Sequence, residues 1–337
     1  VQAFYFNKGA MRSLLTLSSV LMFGLASCGD SSLTRTLPNV TGSTGDVMVV
    51  TDKSLWDGAV GKALREEVAP VLIGLPQPEP AFDLQPVNPE GFRDILVSHR
   101  NIIITAIDEN KTEPAMTYER NRWAETQLVI RITAPDTASM AVCISKNAEE
   151  IRQHINDTER ERLTSWLTES AGRKRSTVRS GESSYEIIMP AGYRTDFTRE
   201  GLVIISAETQ ATTQSVIVSV GERPSSRIGC IGLADLTEKI MSAEIKGPDV
   251  ASFMVIEKHM TVSCRSFRRN DTDYIEMRGL WTLEGGFMGG PFISCAFIDP
   301  QTSRAVIVTG FVYAPREEKR ELLRQVEALM YTVRKAS

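Results

Sequence analysis

The run Asn101-Ile102-Ile103-Ile104-Thr105-Ala106-Ile107 is apolar at odd and even positions alike. Side chains of a strand alternate between two faces, so this run needs cover on both and suits a central strand of a layered sheet. Residues 46–50, Asp-Val-Met-Val-Val, read as a shorter apolar strand, and residues 127–133 as another. Helical patterns separate them. Between residues 55 and 69, Trp56, Val60, Ala63, Leu64 and Val68 share one face, with Ser54 and Asp57 as a capping pair and Pro70 as a stop. A shorter amphipathic helix is expected at 89–97. Asn147 with Glu150 opens another, and Asp157 opens a further one carrying Leu163, Trp166 and Leu167. Strands alternating with helices imply helices packed on a sheet.

Residues 172–182 hold Arg173, Lys174, Arg175 and Arg179 between Gly172 and Gly181, lack periodicity, and read as a basic linker. Beyond it, strand patterns fall at 185–189, 202–206 and 216–220, then a helix at 233–242. Five more runs, 252–257, 260–267, 274–283, 292–298 and 305–313, are spaced like an antiparallel meander. Pro315 opens a terminal helix with Leu322, Val326, Leu329, Met330 and Val333 on one stripe. The expected fold class is α+β, with two packed sheet-plus-helix halves at 46–171 and 183–337. The second is mainly antiparallel and resembles, in pattern only, the Mog1/PsbP-like sandwich. Such an analogy carries no function.

The N-terminal region sets an expected address. An apolar run at 14–25 follows Arg12 and closes on Leu25-Ala26-Ser27-Cys28. A charged start, a short apolar segment and small residues before the break read as a secretory signal, too short for a stable transmembrane helix. The ending resembles the lipobox of bacterial lipoproteins, in which the cysteine, here Cys28, becomes the first residue and carries palmitate-type acyl lipid. Residues 1–10, ahead of Met11, read as upstream sequence. Removing residues 1–27 takes Lys8 and Arg12 and no acid, leaving 310 residues with 36 basic and 42 acidic side chains. A net charge near −6 disfavours nucleic acid as a partner. Residues 28–45, rich in Ser, Thr, Gly and Asn, read as a flexible tether. Only Asp30 follows the cysteine closely, whereas surface-exported lipoproteins carry acid clusters there; the periplasmic side is therefore preferred.

Chemistry-bearing patterns are sparse. His99, His154 and His259 are far apart with no metal-ligand spacing, no cofactor motif is present, and no nucleophile elbow or phosphate loop appears. Cys143, Cys230, Cys264 and Cys295 are widely spaced. They permit three disulfide pairings, with Cys264 and Cys295 as sheet neighbours among the readings, but buried free thiols are preferred. The densest stretch runs from Arg268 to Phe292 and holds Asp271, Asp273, Glu276, Arg278, Trp281 and Glu284, then Gly285, Gly286, Gly289 and Gly290. Glycines between strands permit close approach of a ligand or another chain. The candidate binding residues are therefore Arg278, Trp281 and those four glycines, with residues 76–80 (Pro-Gln-Pro-Glu-Pro) as a second wall. The rival reading is a glycan or peptide hydrolase using two of the four carboxylates. Asp136-Thr137-Ala138 fits a loose O-glycosylation pattern at Thr137.

Several stretches resemble domain of unknown function 4837, a family of Bacteroidota envelope lipoproteins. They are the lipobox, residues 46–50 with Leu55-Trp56, residues 73–80, Ser98-His99-Arg100-Asn101-Ile102-Ile103, Arg278-Gly279-Leu280-Trp281, Met288-Gly289-Gly290-Pro291-Phe292 and Gly310-Phe311-Val312-Tyr313-Ala314-Pro315. The resemblance implies lipidation, an envelope location and one family unit over nearly the whole mature chain. It supplies no catalytic residue and no cofactor. The expected role is binding or assembly with an envelope protein or glycan, on a membrane reached through the lipid.

Overall fold

The doubly apolar run becomes the middle strand of the first sheet. β1 (Asp46–Val50) leads into α1 (Lys53–Asp57) and α2 (Ala59–Ala63), followed by β2 (Asp83–Val87), β3 (Asn101–Ile107), β4 (Ala115–Arg120) and β5 (Leu128–Ala134). The order is β2-β1-β3-β5-β4, parallel except for β4. On β3, Ile103 enters a core with Val60, Leu64, Met140 and Ile144, while Ile102 enters one with Phe92, Leu96 and Trp123. Both faces are covered. A computed structural model describes residues 36–336, except 225, 226, 250 and 270. The signal and lipidation readings, Cys28 included, lie outside the described residues.

Four local expectations change. The helix expected at 55–69 divides at Gly58, whose extended backbone ends α1 and starts α2, and α2 runs on into a π-helical turn at Leu64–Val68. The one at 89–97 is two 3-10 turns, Pro89–Gly91 and Asp94–Ser98. The tether pairs with the fold before residue 45: the Thr41 N–H donates to Ser98 O (2.9 Å), Arg100 N–H to Thr41 O (3.0 Å) and Glu125 N–H to Pro38 O (2.8 Å). The helices expected at Asn147 and Asp157 are one, α3 (Thr137–Ala171). Its cap is Asp136, whose carboxylate accepts from Ser139 N–H (2.8 Å), and the Asn147 amide donates back to Cys143 O (2.7 Å) instead of capping.

At 35 residues, α3 is about 52 Å long. Met140, Ile144, Ile151 and Ile155 pack on the first sheet. Leu163, Leu167 and Ala171 enter the core of the second half. Residues 37–337 accordingly cluster as one compact unit.

The basic linker expected at 172–182 is mostly strand. β6 (Arg175–Ser180) and β7 (Ser183–Ile188) form a hairpin turned at Gly181, whose φ is +57°. Ser176, Val178 and Ser180 point inward, so the arginines are the outer side of a short, half-polar strand. Next come β8 (Tyr193–Arg199), β9 (Leu202–Glu208), β10 (Thr213–Val220), α4 (Cys230–Glu244), β11 (Phe253–Ile256), β12 (Ser263–Arg269), β13 (Thr272–Glu284), β14 (Gly289–Ile298), β15 (Ala305–Tyr313), α5 (Arg320–Met330) and β16 (Arg334–Lys335). They build an eight-stranded antiparallel sheet, β11-β13-β14-β15-β10-β9-β8, with β12 also paired to β13, while β16 joins the β6–β7 hairpin. One face packs under α4 (Leu233, Met241), the other under α5 and the end of α3 (Val326, Leu329, Leu163). The fold is α+β.

α5 begins at Arg320 rather than Pro315. The buried Glu79 carboxylate accepts from the N–H groups of Lys319 and Arg320, each at 2.9 Å, and so caps α5 from the other half of the chain. Cys230 and Cys264 form a disulfide, while Cys143 and Cys295 are free thiols. Cys264 and Cys295 are not neighbours: β12 and β14 flank β13 on opposite sides, about 10 Å apart, beyond disulfide reach. Among the described residues no helix is long and apolar enough to cross a membrane.

Candidate functional site

β13 sends alternate residues to opposite faces, which separates the two side chains singled out on it. Trp281, with Met277 and Leu283, lies in the core under α4. Its Nε1 donates to Val312 O (3.2 Å), and its ring meets Phe311 edge-on at 5.8 Å. Glu276 and Arg278 face the other way, towards α5 and α3. Gly285, at φ +74°, turns the chain after β13. Gly286 lies beside it in the turn, and Phe287 at the tip is fully exposed. Gly289 and Gly290 open β14. A Cβ at Gly290 would overlap Val312 O and crowd the Trp281 indole, so that glycine permits the close approach of β15. Thr137 is an exposed residue in the first turn of α3, beside its Asp136 cap.

The four carboxylates of the hydrolase reading do not converge on one site. Glu276 and Glu284 are eight positions apart on one strand, about 27 Å. Asp271 and Asp273 lie by the exposed β12–β13 turn, each 3.8 Å from Arg268. A glycosidase pair stands about 5–10 Å apart with one member protonated. Glu276 is held ionised instead. Burial works against its charge, but Arg278 and the bonds from Arg265 outweigh burial and lower its pKa to about 2.

Glu276 centres a charged cluster that joins distant elements. Arg265 Nε and Nη2 donate to its two oxygens at 2.8 and 3.0 Å, Arg278 Nε at 2.9 Å, and the Tyr331 hydroxyl at 3.1 Å. Arg278 also reaches Glu327 on α5 (2.8 Å), which meets Arg160 of α3 at 3.4 Å. Arg160 pairs with Asp157 (2.7 Å) and lies over the Tyr331 ring, 4.7 Å from its centroid. Burial disfavours the Arg278 charge, but Glu276 and Glu327 more than compensate and raise its pKa.

Outside this cluster opens a cleft of about 240 Å³. Arg152 and Arg160 of α3, Arg265 and Arg278 of β12 and β13, and Arg320 and Arg324 of α5 line it. Residues 72–75 form its apolar wall, and Gly74, at φ +87°, lies against the β13 backbone at Gly279. The second wall expected at 76–80 is displaced: none of those residues lines the cleft, whose wall is 72–75 with Ala81, and Glu79 is spent on α5. Sequence reasoning found Arg278 and missed the other five arginines, which converge from 152 to 324 with no local motif. Among the described residues no three His, Cys, Asp or Glu side chains could hold a metal ion. Burial, with Glu276 close by, pushes the Cys295 thiol up, away from a reactive thiolate.

These features define a disulfide-bonded α+β protein with a charged cleft between its two sheets. Residues 174–332 match the family described as Domain of unknown function (DUF4837), and residues 40–168 match Domain of unknown function (DUF8532). The expected single family over nearly the whole mature chain is therefore corrected: motifs at 46–50, 73–80 and 98–103 belong to the second match. The gap between the matches falls at the end of α3. No curated protein matches the chain. Similar solved structures include the Ran-binding protein Mog1p of Saccharomyces cerevisiae, at 11% identity over 48% of this chain and 95% of that one, TM-score 0.31. LpqN of Mycobacterium tuberculosis, involved in cell envelope biogenesis, shows 10% identity over 49% of this chain and 91% of its own, TM-score 0.30. Likenesses at that level carry no functional argument.

Proposed function

We propose that this chain is an extracytoplasmic protein, anchored through lipid on Cys28 on the periplasmic side of a membrane, that binds an envelope component and does not turn it over. The observation that carries the reading is the cleft, whose walls come from α3, residues 72–75, β12, β13 and α5. A concave site assembled from both halves with charged and apolar walls suits recognition. The Cys230–Cys264 disulfide suggests an extracytoplasmic location, because such bonds persist in oxidising compartments. The distance between Glu276 and Glu284, and the ionised state of Glu276, weigh against hydrolysis by that pair.

The test compares partners cross-linked to the lipidated protein in native envelopes with those of two surface variants. Ile73, 71% exposed at the cleft wall, is changed to Asp; Phe287, at the tip of the glycine turn, is changed to Ser. Partners lost with Ile73→Asp and kept with Phe287→Ser support the cleft. The reverse pattern moves the site to the glycine turn, and partners kept by both refute a site at either place.

A further inference from the structure

We propose that a second site, separate from the cleft above and sharing no lining residue with it, binds an uncharged stretch of glycan. The site is built around Trp166 of α3. Leu163 and Leu167 on the same helix are buried, yet Trp166 is 57% exposed. The other three tryptophans are engaged: Trp56 with Arg65, Trp123 with Phe92, and Trp281 with Val312 and Phe311. Among the described residues Trp166 has no hydrogen bond, ring contact or cation partner. It lines a groove of about 1110 Å³ instead. Arg162, Ser165, Trp166 and Glu169 enter that lining at i, i+3, i+4 and i+7 of α3, so they share one face of the helix. Residues 39, 40 and 44 and the β4–β5 loop at 121–126 supply most of the rest. These walls are tied together. Arg162 donates to Thr126 O from Nε (3.0 Å) and Nη2 (2.6 Å), and the Glu125 N–H donates to Pro38 O (2.8 Å). The groove therefore stands ready without an ordering cost on binding.

The lining selects the ligand by what it leaves unpaired. Arg100, Arg120 and Arg162 stand beside Glu125, Glu161 and Glu169. Arg100 and Arg162 are also bonded to the buried Glu159 outside the lining, and Arg120 pairs with Glu161 at 2.6 Å. No positive excess remains to select an anion. The uncharged polar side chains are free. Those of Asn39, Thr44, Asn121, Thr126 and Ser165 make no hydrogen bond among the described residues, and Gln325 uses only its carbonyl, which accepts from Gln214 (3.2 Å). Amides and hydroxyls both donate and accept, as the hydroxyls around a sugar ring do. The C–H groups of a pyranose present an apolar, slightly positive face, which suits the negative face of an indole. The groove also exceeds the roughly 300–1,000 Å³ of sites for drug-sized ligands, so it has room for several rings.

The experiment titrates the full lipidated protein, in a polyoxyethylene detergent that carries no sugar, by calorimetry and tryptophan fluorescence. The probes are chitotriose, maltotriose and tetramethylammonium chloride. Saturable binding of at least one trisaccharide is expected, weakened about tenfold or more in Trp166→Ala and largely kept in Trp166→Phe, which retains an aromatic face. Arg334→Gln, on β16 and outside the groove, keeps it fully. Melting temperatures confirm that each variant is folded. Tighter binding of chitotriose assigns an N-acetylated glycan as the source, and tighter binding of maltotriose an unsubstituted one. No saturable binding of either trisaccharide, or binding unchanged in Trp166→Ala, overturns the proposal. Binding of tetramethylammonium alone also overturns it, and assigns a cationic ligand to the indole face. Envelope partners lost or kept with Ile73→Asp report on the other cleft and leave these outcomes unchanged.

Discussion

Replacing Glu276 by Gln removes one negative charge from a carboxylate 1% exposed and bonded to Arg265, Arg278 and Tyr331. The folded-state pKa is about 2, against an ordinary 4.5, so the native state favours the ionised form. A depression of that size corresponds to about 3 kcal/mol of stability at neutral pH. An independent route agrees: removing one member of a buried ion pair typically costs about 3–5 kcal/mol, because the other is left uncompensated. A lowered folded pKa means this stability is fully present above pH 4.5 and lost as pH falls towards 2. Urea unfolding of wild type and Glu276→Gln is therefore expected to differ by about 3 kcal/mol at pH 7, with the gap closing near pH 2.5. Other carboxylates titrate in both proteins, so the difference isolates this one. A gap below about 1 kcal/mol at pH 7, or one unchanged down to pH 2.5, would refute the linkage.

Three further outcomes rest on contacts that cross the fold. Reducing Cys230–Cys264, a link across 34 positions, should lower stability by about 3–4 kcal/mol in urea, and Cys264→Ser should match reduction and then be insensitive to it. Gly290→Ala should destabilise by about 1–3 kcal/mol or more, with a blue-shifted or broadened Trp281 signal among the tryptophans, because the new methyl group meets Val312 O; a neutral result would show that β14 and β15 can part. Glu79→Ala should cost about 1–3 kcal/mol by leaving two N–H groups at the start of α5 unsatisfied, and faster hydrogen exchange at Lys319 and Arg320 would locate the loss.

Much of the architecture was legible in the sequence because it is written locally. The doubly apolar 101–107 run required cover on both faces, and Ile102 and Ile103 enter different cores. The meander ending in a striped helix follows from period-two and 3.6-residue patterns that each element carries alone. Segments with mixed signals were misjudged. β6 alternates small polar residues with arginine and resembles a linker until Ser176, Val178 and Ser180 find an interior. α3 contains Asn147 and Asp157, good caps for helices that never start, because tertiary packing on both cores rewards continuity across them.

What joins the elements was decided only by the tertiary structure. No spacing rule pairs Cys230 with Cys264, or sends Glu79 to the end of a helix 240 positions away. Arg278 and Trp281 sit three apart and looked like one site, yet an odd separation on a strand puts them on opposite faces, one in the core and one in the charged cluster. The cleft gathers arginines from 152 to 324, each an ordinary surface cation in its own segment. Periodicity reports the face a residue takes on its own element. The partner that face meets depends on chain closure over hundreds of residues, where charge and burial, rather than local pattern, choose the neighbour.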